Sequence, residues 1–204
     1  FLALKEGGAY ACEQCNTVYS TEQGFLDLLP DFPVRRTISH ALMEWEPLIT
    51  IYNSRWYRYS FIATWLFGIA FHEEYALISR IAALKGHETL LDLACGPGTY
   101  TRPFAKQLPQ GFVAGIDLSV PMLSYASSMA QQKSSQNVMF LHGYAEKLPF
   151  PDEEFDHLNC CGALHLFSDL PTSLTEIHRV LKPGGTMTAT AYRNWLPGDT
   201  AKKL

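Results

Sequence analysis

From Glu88 onward, apolar runs alternate with amphipathic stretches, one strand length to one helix length. Thr89–Cys95 (TLLDLAC) reads as a short buried strand, followed by Gly96-Pro97-Gly98 and a helical stretch to about Leu108. Phe112–Leu118 (FVAGIDL) predicts a second strand. Met122–Gln132 predicts a helix entered through Ser119 as N-cap, with Pro121 in its first turn. Val138–His142, Phe155–Leu164 and Gly185–Tyr192 predict three more strands, with a helix over Leu170–Leu181. Strands alternating with helices of this length predict an α/β fold, a parallel sheet covered on both faces and joined by right-handed crossovers.

The front of the chain has a different texture. Residues 1–33 are turn-rich, with Gly7-Gly8, a Cys12-x-x-Cys15 pair and Pro30-Asp31-Phe32-Pro33. Residues 34–86 contain no glycine between Pro33 and Gly68, and ten of the 26 aromatics fall between Trp45 and Tyr75. Tyr57, Phe61, Trp65 and Ile69, spaced by four, describe one buried helix face, and such a face could also roof an apolar pocket. Shallow membrane contact is the weaker reading, because Arg35, Arg36, Arg55 and Arg58 are balanced by acids. The expected division is a ribbon-like segment over 1–33, an aromatic helical cap over 34–86, a nucleoside-binding domain over 87–194 and a tail over 195–204.

Composition narrows the function. A chain of 204 residues with 47% hydrophobic and 18% charged positions is not disordered. Its longest nearly uninterrupted apolar run, Phe61–Phe71, is 11 residues, against roughly 20 for a membrane span. Residues 1–86 hold seven Lys/Arg against nine Asp/Glu, which argues against a grip on nucleic acid. Five cysteines, two adjacent in an apolar stretch, read as reduced thiols rather than a disulfide framework, with Cys160 and Cys161 in the core. The start at Phe1 reads as a processed chain or a piece of a longer one.

The chemistry concentrates at Leu91-Asp92-Leu93-Ala94-Cys95-Gly96-Pro97-Gly98-Thr99. Two glycines one residue apart, between a strand and a helix, allow a sharp turn and close approach of a ligand to the backbone. Asp117 follows Gly98 by nineteen residues, at the end of the next strand, where a carboxylate can accept from ribose hydroxyls. A dinucleotide such as NAD or FAD calls for a third glycine where Thr101 stands. An acid within the first strand, Asp92, suits a cationic ammonium or sulfonium better, which favours S-adenosylmethionine. A tight turn with no ligand is the remaining alternative.

Four stretches carry a family resemblance: Asp92 to Gly98, Gly115-Ile116-Asp117-Leu118-Ser119, Ala145-Glu146-Lys147-Leu148-Pro149-Phe150, and Arg179-Val180-Leu181-Lys182-Pro183-Gly184-Gly185. In order and spacing they resemble class I S-adenosylmethionine-dependent methyltransferases, of the ubiquinone/menaquinone-methyltransferase-like branch. Cys161-Gly162-Ala163-Leu164-His165-Leu166-Phe167 resembles the enzymes of cyanobacteria and plastids. The resemblance implies a Rossmann-like sheet of seven strands, of which five are visible here. It implies a missing antiparallel hairpin, and so a longer parent or a partner protein covering the sheet edge. It also implies a small-molecule acceptor, apolar or aromatic like a quinone precursor, and a location in the cytoplasm or plastid stroma.

By position, the resemblance puts Asp92 near the methionine ammonium, and Gly96 and Gly98 under the methionine and ribose. Asp117 falls on the ribose hydroxyls, with Leu118 and Ala145 on the adenine; Ala94 and Cys161 complete the cofactor set. Tyr144 departs from the pattern, which there has an Asp or Asn for the adenine amino group. His165, then Asp169, are the candidate catalytic bases, with a loop hydrogen bond as the alternative for His165. Cys12 and Cys15 resemble the second half of a zinc ribbon like that of 23S rRNA guanine-N1 methyltransferases, and would hold zinc only with an upstream cysteine pair. An rRNA methyltransferase and a non-catalytic interaction subunit that kept the fold remain the alternative functions.

Overall fold

A computed structural model describes residues 2–4, 10–12, 18–21, 23–29, 69–132 and 136–190. Strands β1 (Leu2–Leu4), β2 (Tyr10–Cys12) and β3 (Val18–Tyr19) form a small antiparallel meander. The main sheet has six strands, all paired in parallel: β4 (Leu26–Asp27), β5 (Thr89–Leu93), β6 (Phe112–Asp117), β7 (Val138–His142), β8 (Phe155–Cys161) and β9 (Leu181–Thr190). Their order is β4-β7-β6-β5-β8-β9. Helices α1 (Phe71–Ala82), α2 (Thr101–Gln107), α3 (Val120–Gln132) and α4 (Leu170–Val180) complete the described elements. The chain runs outward from β5 through β6 to β7, then returns to β8 on the other side. A crevice therefore opens beyond the carboxyl end of β5, where such sheets place ligands.

Both faces of the sheet are buried. Leu91, Leu93, Ile116 and Leu158 pack with Ile177 and Val180 of α4 on one side. Leu90 and Val113 pack with Ile78 of α1 and Phe104 and Leu108 on the other. This double burial explains why the strands read as unbroken apolar runs rather than alternating ones.

Several boundaries differ from the sequence pattern for local reasons. β5 ends at Leu93 because Ala94 turns into the left-handed region, at φ 54°. β8 ends at Cys161, where Gly162 reverses the chain into a 3₁₀ turn over Leu164–Leu166. β9 begins at Leu181, which already pairs with Phe155 ahead of an irregularity in the register. α3 begins at Val120, and the Ser119 hydroxyl finds no partner among the described residues. Asp117 takes over the turn instead, its Oδ1 accepting from the Ser119 amide at 2.8 Å.

The pattern did not reveal β4. This short strand extends the sheet beside β7, with Leu26 opposite Leu141 and Asp27 opposite His142. Phe25 is buried against Leu123, Ala126 and Phe140, the Ser127 hydroxyl donates to the Gly24 carbonyl, and Asp27 contacts His142 Nδ1 at 2.7 Å. The front segment is thus joined to the sheet by packing and hydrogen bonds.

Tyr57, Phe61 and Trp65 lie outside the described residues, as do Cys15 and the expected tail over 195–204. From the aromatic segment, Phe71 and Tyr75 are described. Phe71 packs on Tyr100 with ring centres 5.3 Å apart, and Tyr75 on Phe104 at 5.5 Å. Among the described residues no helix is long and apolar enough to cross a membrane, and no cluster of His, Cys, Asp or Glu is suited to a metal ion.

Candidate cofactor cleft

The cleft floor is Asp92, an acid in the middle of a buried strand, 1% exposed. Its neighbours in register are Gly115 on β6 and Asn159 on β8. Asn159 Nδ2 donates to one carboxylate oxygen at 2.7 Å and the Thr101 hydroxyl to the other. Burial nevertheless dominates and pushes the Asp92 carboxyl up to about 6.

Above it the chain turns through Ala94, Gly96 and Gly98, all at positive φ. A side chain at Gly98 would press on the Ala126 methyl at 3.1 Å and the Phe140 ring at 3.2 Å, which adds crowding to the backbone angle that favours glycine there. The Gly96 amide donates to Asp117 Oδ2 at 2.7 Å. With the Ser119 amide on Oδ1, the Asp117 carboxylate is held in a fixed plane and keeps further lone pairs for a ligand. Its carboxyl is also raised by burial, although its residue surface stays partly accessible. Leu118 follows it, half-buried, and the loop to buried Ala145 is tied on by the Gly143 amide, which donates to the Asp117 carbonyl at 3.0 Å.

A third carboxylate comes from α1. Glu74 is 8% exposed and accepts from the Tyr100 hydroxyl at 2.6 Å. None of these three acids is paired with a lysine or arginine among the described residues. Their field is felt by the thiols around them. Burial, and then Asp117 and Asp92, push Cys95 well up. Burial, Asp92 and Glu74 hold Cys161 at about 12. Cys160 is raised likewise. These are protonated core thiols with no nucleophilic character.

His165 stands in the 3₁₀ turn after β8, at the same end of the sheet, with burial lowering its proton affinity. Asp169 is exposed and caps α4: its Oδ1 accepts from the Thr172 amide at 3.1 Å and its Oδ2 from the Thr172 hydroxyl at 2.6 Å. The Thr172 contacts lower its carboxyl, which makes it a poor base. A cavity of about 330 Å³ lined by Tyr10, Phe25, Ser127, Gln131 and Met139 lies at the amino end of β7, away from this cleft.

Sequence reasoning missed Thr101, Asn159 and Glu74. Thr101 was visible as the residue replacing a third glycine, and Asn159 as a polar residue inside an apolar strand.

Residues 84–204 match the family described as the methyltransferase domain. The chain belongs to that family. It is 37% identical over 113 residues to YcgJ, an uncharacterized methyltransferase of Bacillus subtilis, covering 55% of this chain and 44% of that one. The crystal structure of YcgJ superposes with a TM-score of 0.55 over 58% of this chain and 50% of its own. The demethylmenaquinone methyltransferase of Geobacillus stearothermophilus is 37% identical over 110 residues, 53% of this chain and 47% of that one. A chloroplastic methyltransferase of Arabidopsis thaliana, At2g41040, is 27% identical over 197 residues, 92% of this chain and 55% of that one. A SAM-dependent methyltransferase structure from Aquifex aeolicus has a TM-score of 0.51 at 29% identity, over 54% of this chain and 59% of its own. The family's α/β sheet is therefore the Rossmann-like class I one. The chain spans about half the length of the curated relatives it matches.

Proposed function

We propose that this methyltransferase-family chain binds S-adenosylmethionine at the glycine turn and transfers its methyl group to a small apolar or aromatic acceptor resembling a quinone precursor. The observation that carries the cofactor is the convergence of Asp92, Asp117 and Glu74 with no lysine or arginine partner among the described residues. Such a field favours a cationic ligand over a pyrophosphate. When bound, S-adenosylmethionine supplies an electrophilic methyl group on a sulfonium.

In this reading Asp92 offers negative charge to the methionine ammonium, and Asp117 accepts from the ribose diol. Leu118 and Ala145 pack at the adenine, while Ala94, Gly96, Gly98 and Cys161 shape the wall. His165, kept neutral by burial, can accept a proton from an acidic acceptor. Asp169 acts by capping the helix that follows. The acceptor class rests on the demethylmenaquinone methyltransferase relatives, and a plastid location on the chloroplastic one.

Calorimetry with S-adenosylmethionine, followed by incubation of the protein with the methyl-labelled cofactor and a fractionated extract, tests this. Saturable binding and label in the lipid fraction are expected. Label in RNA replaces the acceptor with the rRNA alternative, and binding without transfer favours the interaction subunit. No binding at millimolar ligand overturns the reading.

A further inference from the structure

Beneath the cleft runs a line of buried polar groups that the proposed chemistry does not use. Asn159 is wholly buried at 0% exposure, His157 is 1% exposed and Thr188 is 5% exposed. Three polar residues this deeply buried on the last two strands of a parallel sheet carry a cost of several kcal/mol unless every hydrogen bond is made.

Here they are made, and in one direction. The Thr188 hydroxyl donates its only proton to Asn159 Oδ1 at 3.1 Å. His157 Nε2, at 3.0 Å from that hydroxyl, must therefore be the protonated ring nitrogen and donate to it. Nδ1 is then the acceptor, and the Thr186 hydroxyl donates to it at 2.7 Å. Burial keeps the ring neutral, holding its proton affinity down to about 4. At the other end Asn159 turns its amide nitrogen on Asp92 Oδ1 at 2.7 Å, and its oxygen also receives the Cys161 thiol at 3.1 Å. With Thr101 donating to Oδ2, every bond in the chain points toward the Asp92 carboxylate. A protonated Asp92 would have to reverse one of these donors, so the arrangement favours the anion.

We propose that Thr186, His157, Thr188 and Asn159 form a one-way hydrogen-bond chain, anchored on β9, that holds Asp92 anionic and in place. Asn159 is thereby a positioning residue for the cationic end of the cofactor. This rests on the binding role of Asp92 proposed above. Burial and then the Asp117 carboxylate at the end of β6 oppose the ionisation of Asp92; the thiols of Cys95, Cys160 and Cys161 around it are protonated, and the Glu74 carboxylate of α1 lies beyond Cys161. Among the described residues no neighbouring cation offsets this, which leaves the neutral donors Asn159 and Thr101 to do so.

The test is the pH profile of S-adenosylmethionine binding, with the Asp92 carboxyl followed by carbon-13 NMR in the absence of ligand. In the unaltered protein, affinity falls as pH drops through about 6. Asn159→Leu raises the carboxyl midpoint by about 1–2 pH units and weakens binding at pH 7 by about two- to tenfold. Thr188→Val, which leaves Asn159 in place but removes its anchor, moves both in the same direction by less, and it carries the test should Asn159→Leu fail to fold. Midpoints and affinities equal to the unaltered protein in these variants overturn the proposal. If the unaltered protein binds no S-adenosylmethionine yet the NMR midpoint shifts, the chain stands and the cofactor assignment falls.

Discussion

Replacing Asp92 by Asn should make the protein more stable at neutral pH while weakening its hold on the cofactor. The substitution keeps the shape of the group. The new amide can accept from Asn159 through its oxygen and donate to the Thr101 hydroxyl through its nitrogen, that hydroxyl reversing its role. What it removes is a buried charge. A carboxyl with an ordinary value of 3.8 titrates at about 6 in the folded protein, because burial outweighs its hydrogen bonds. A raised acid favours folding fully below about pH 4, and that contribution is lost as pH rises through 6. The difference of about two pH units corresponds to about 3 kcal/mol at pH 7 and above. For a chain of this size that is a melting-temperature rise of about 6–12 °C. Urea denaturation of both proteins between pH 4 and 8 measures it. The stability gap should be near zero at pH 4, open through pH 5–6 and level off by pH 7. A variant no more stable than the original at pH 8, or a gap independent of pH, would refute the placement of Asp92 as an ionised, desolvated group.

Two further outcomes follow from the same geometry. Asp117→Ala should weaken S-adenosylmethionine binding by about 1–3 kcal/mol in calorimetry through loss of the ribose acceptor and release of the Gly96 amide, and unchanged affinity would count against the cleft. Arg179→Ala should lower stability by about 1–3 kcal/mol in urea, because its guanidinium donates to the Leu148 and Phe150 carbonyls and to Glu176; a loss under 0.5 kcal/mol would show that this loop holds itself.

Much of this arrangement was legible because local pattern and global fold agree. Val138–His142 is a strand with the bounds the apolar run implies, since burial on both faces leaves no ambiguity of register. Asp92 stood out as an acid within an apolar strand and Asp117 as one at the end of the next, where only a ligand or a network repays them. The residues that escaped notice take their roles from distant partners. Leu26 and Asp27 carry no strand signal of their own; β4 exists because Phe25, Gly24 and Asp27 meet α3 and β7 more than a hundred residues away. Asn159, a polar residue inside an apolar strand, takes its role from the partners that β5 and β9 supply. Asp169 shows the converse. Its position after the fourth strand suggested chemistry, whereas the residue three places on makes it a helix cap.

The front segment bears on the cleft through the same kind of register. β4 sets Asp27 beside His142, and β7 in turn sets His142 beside Asp117, so three titratable side chains stand in a row at the carboxyl ends of three adjacent strands. Asp27 contacts His142 Nδ1 at 2.7 Å, and beside it burial raises the Asp117 carboxyl. Removing β4 would therefore do more than expose an edge. It would free the imidazole next to the acid proposed to hold the ribose, and uncover Phe25 and the α3 face packed on it.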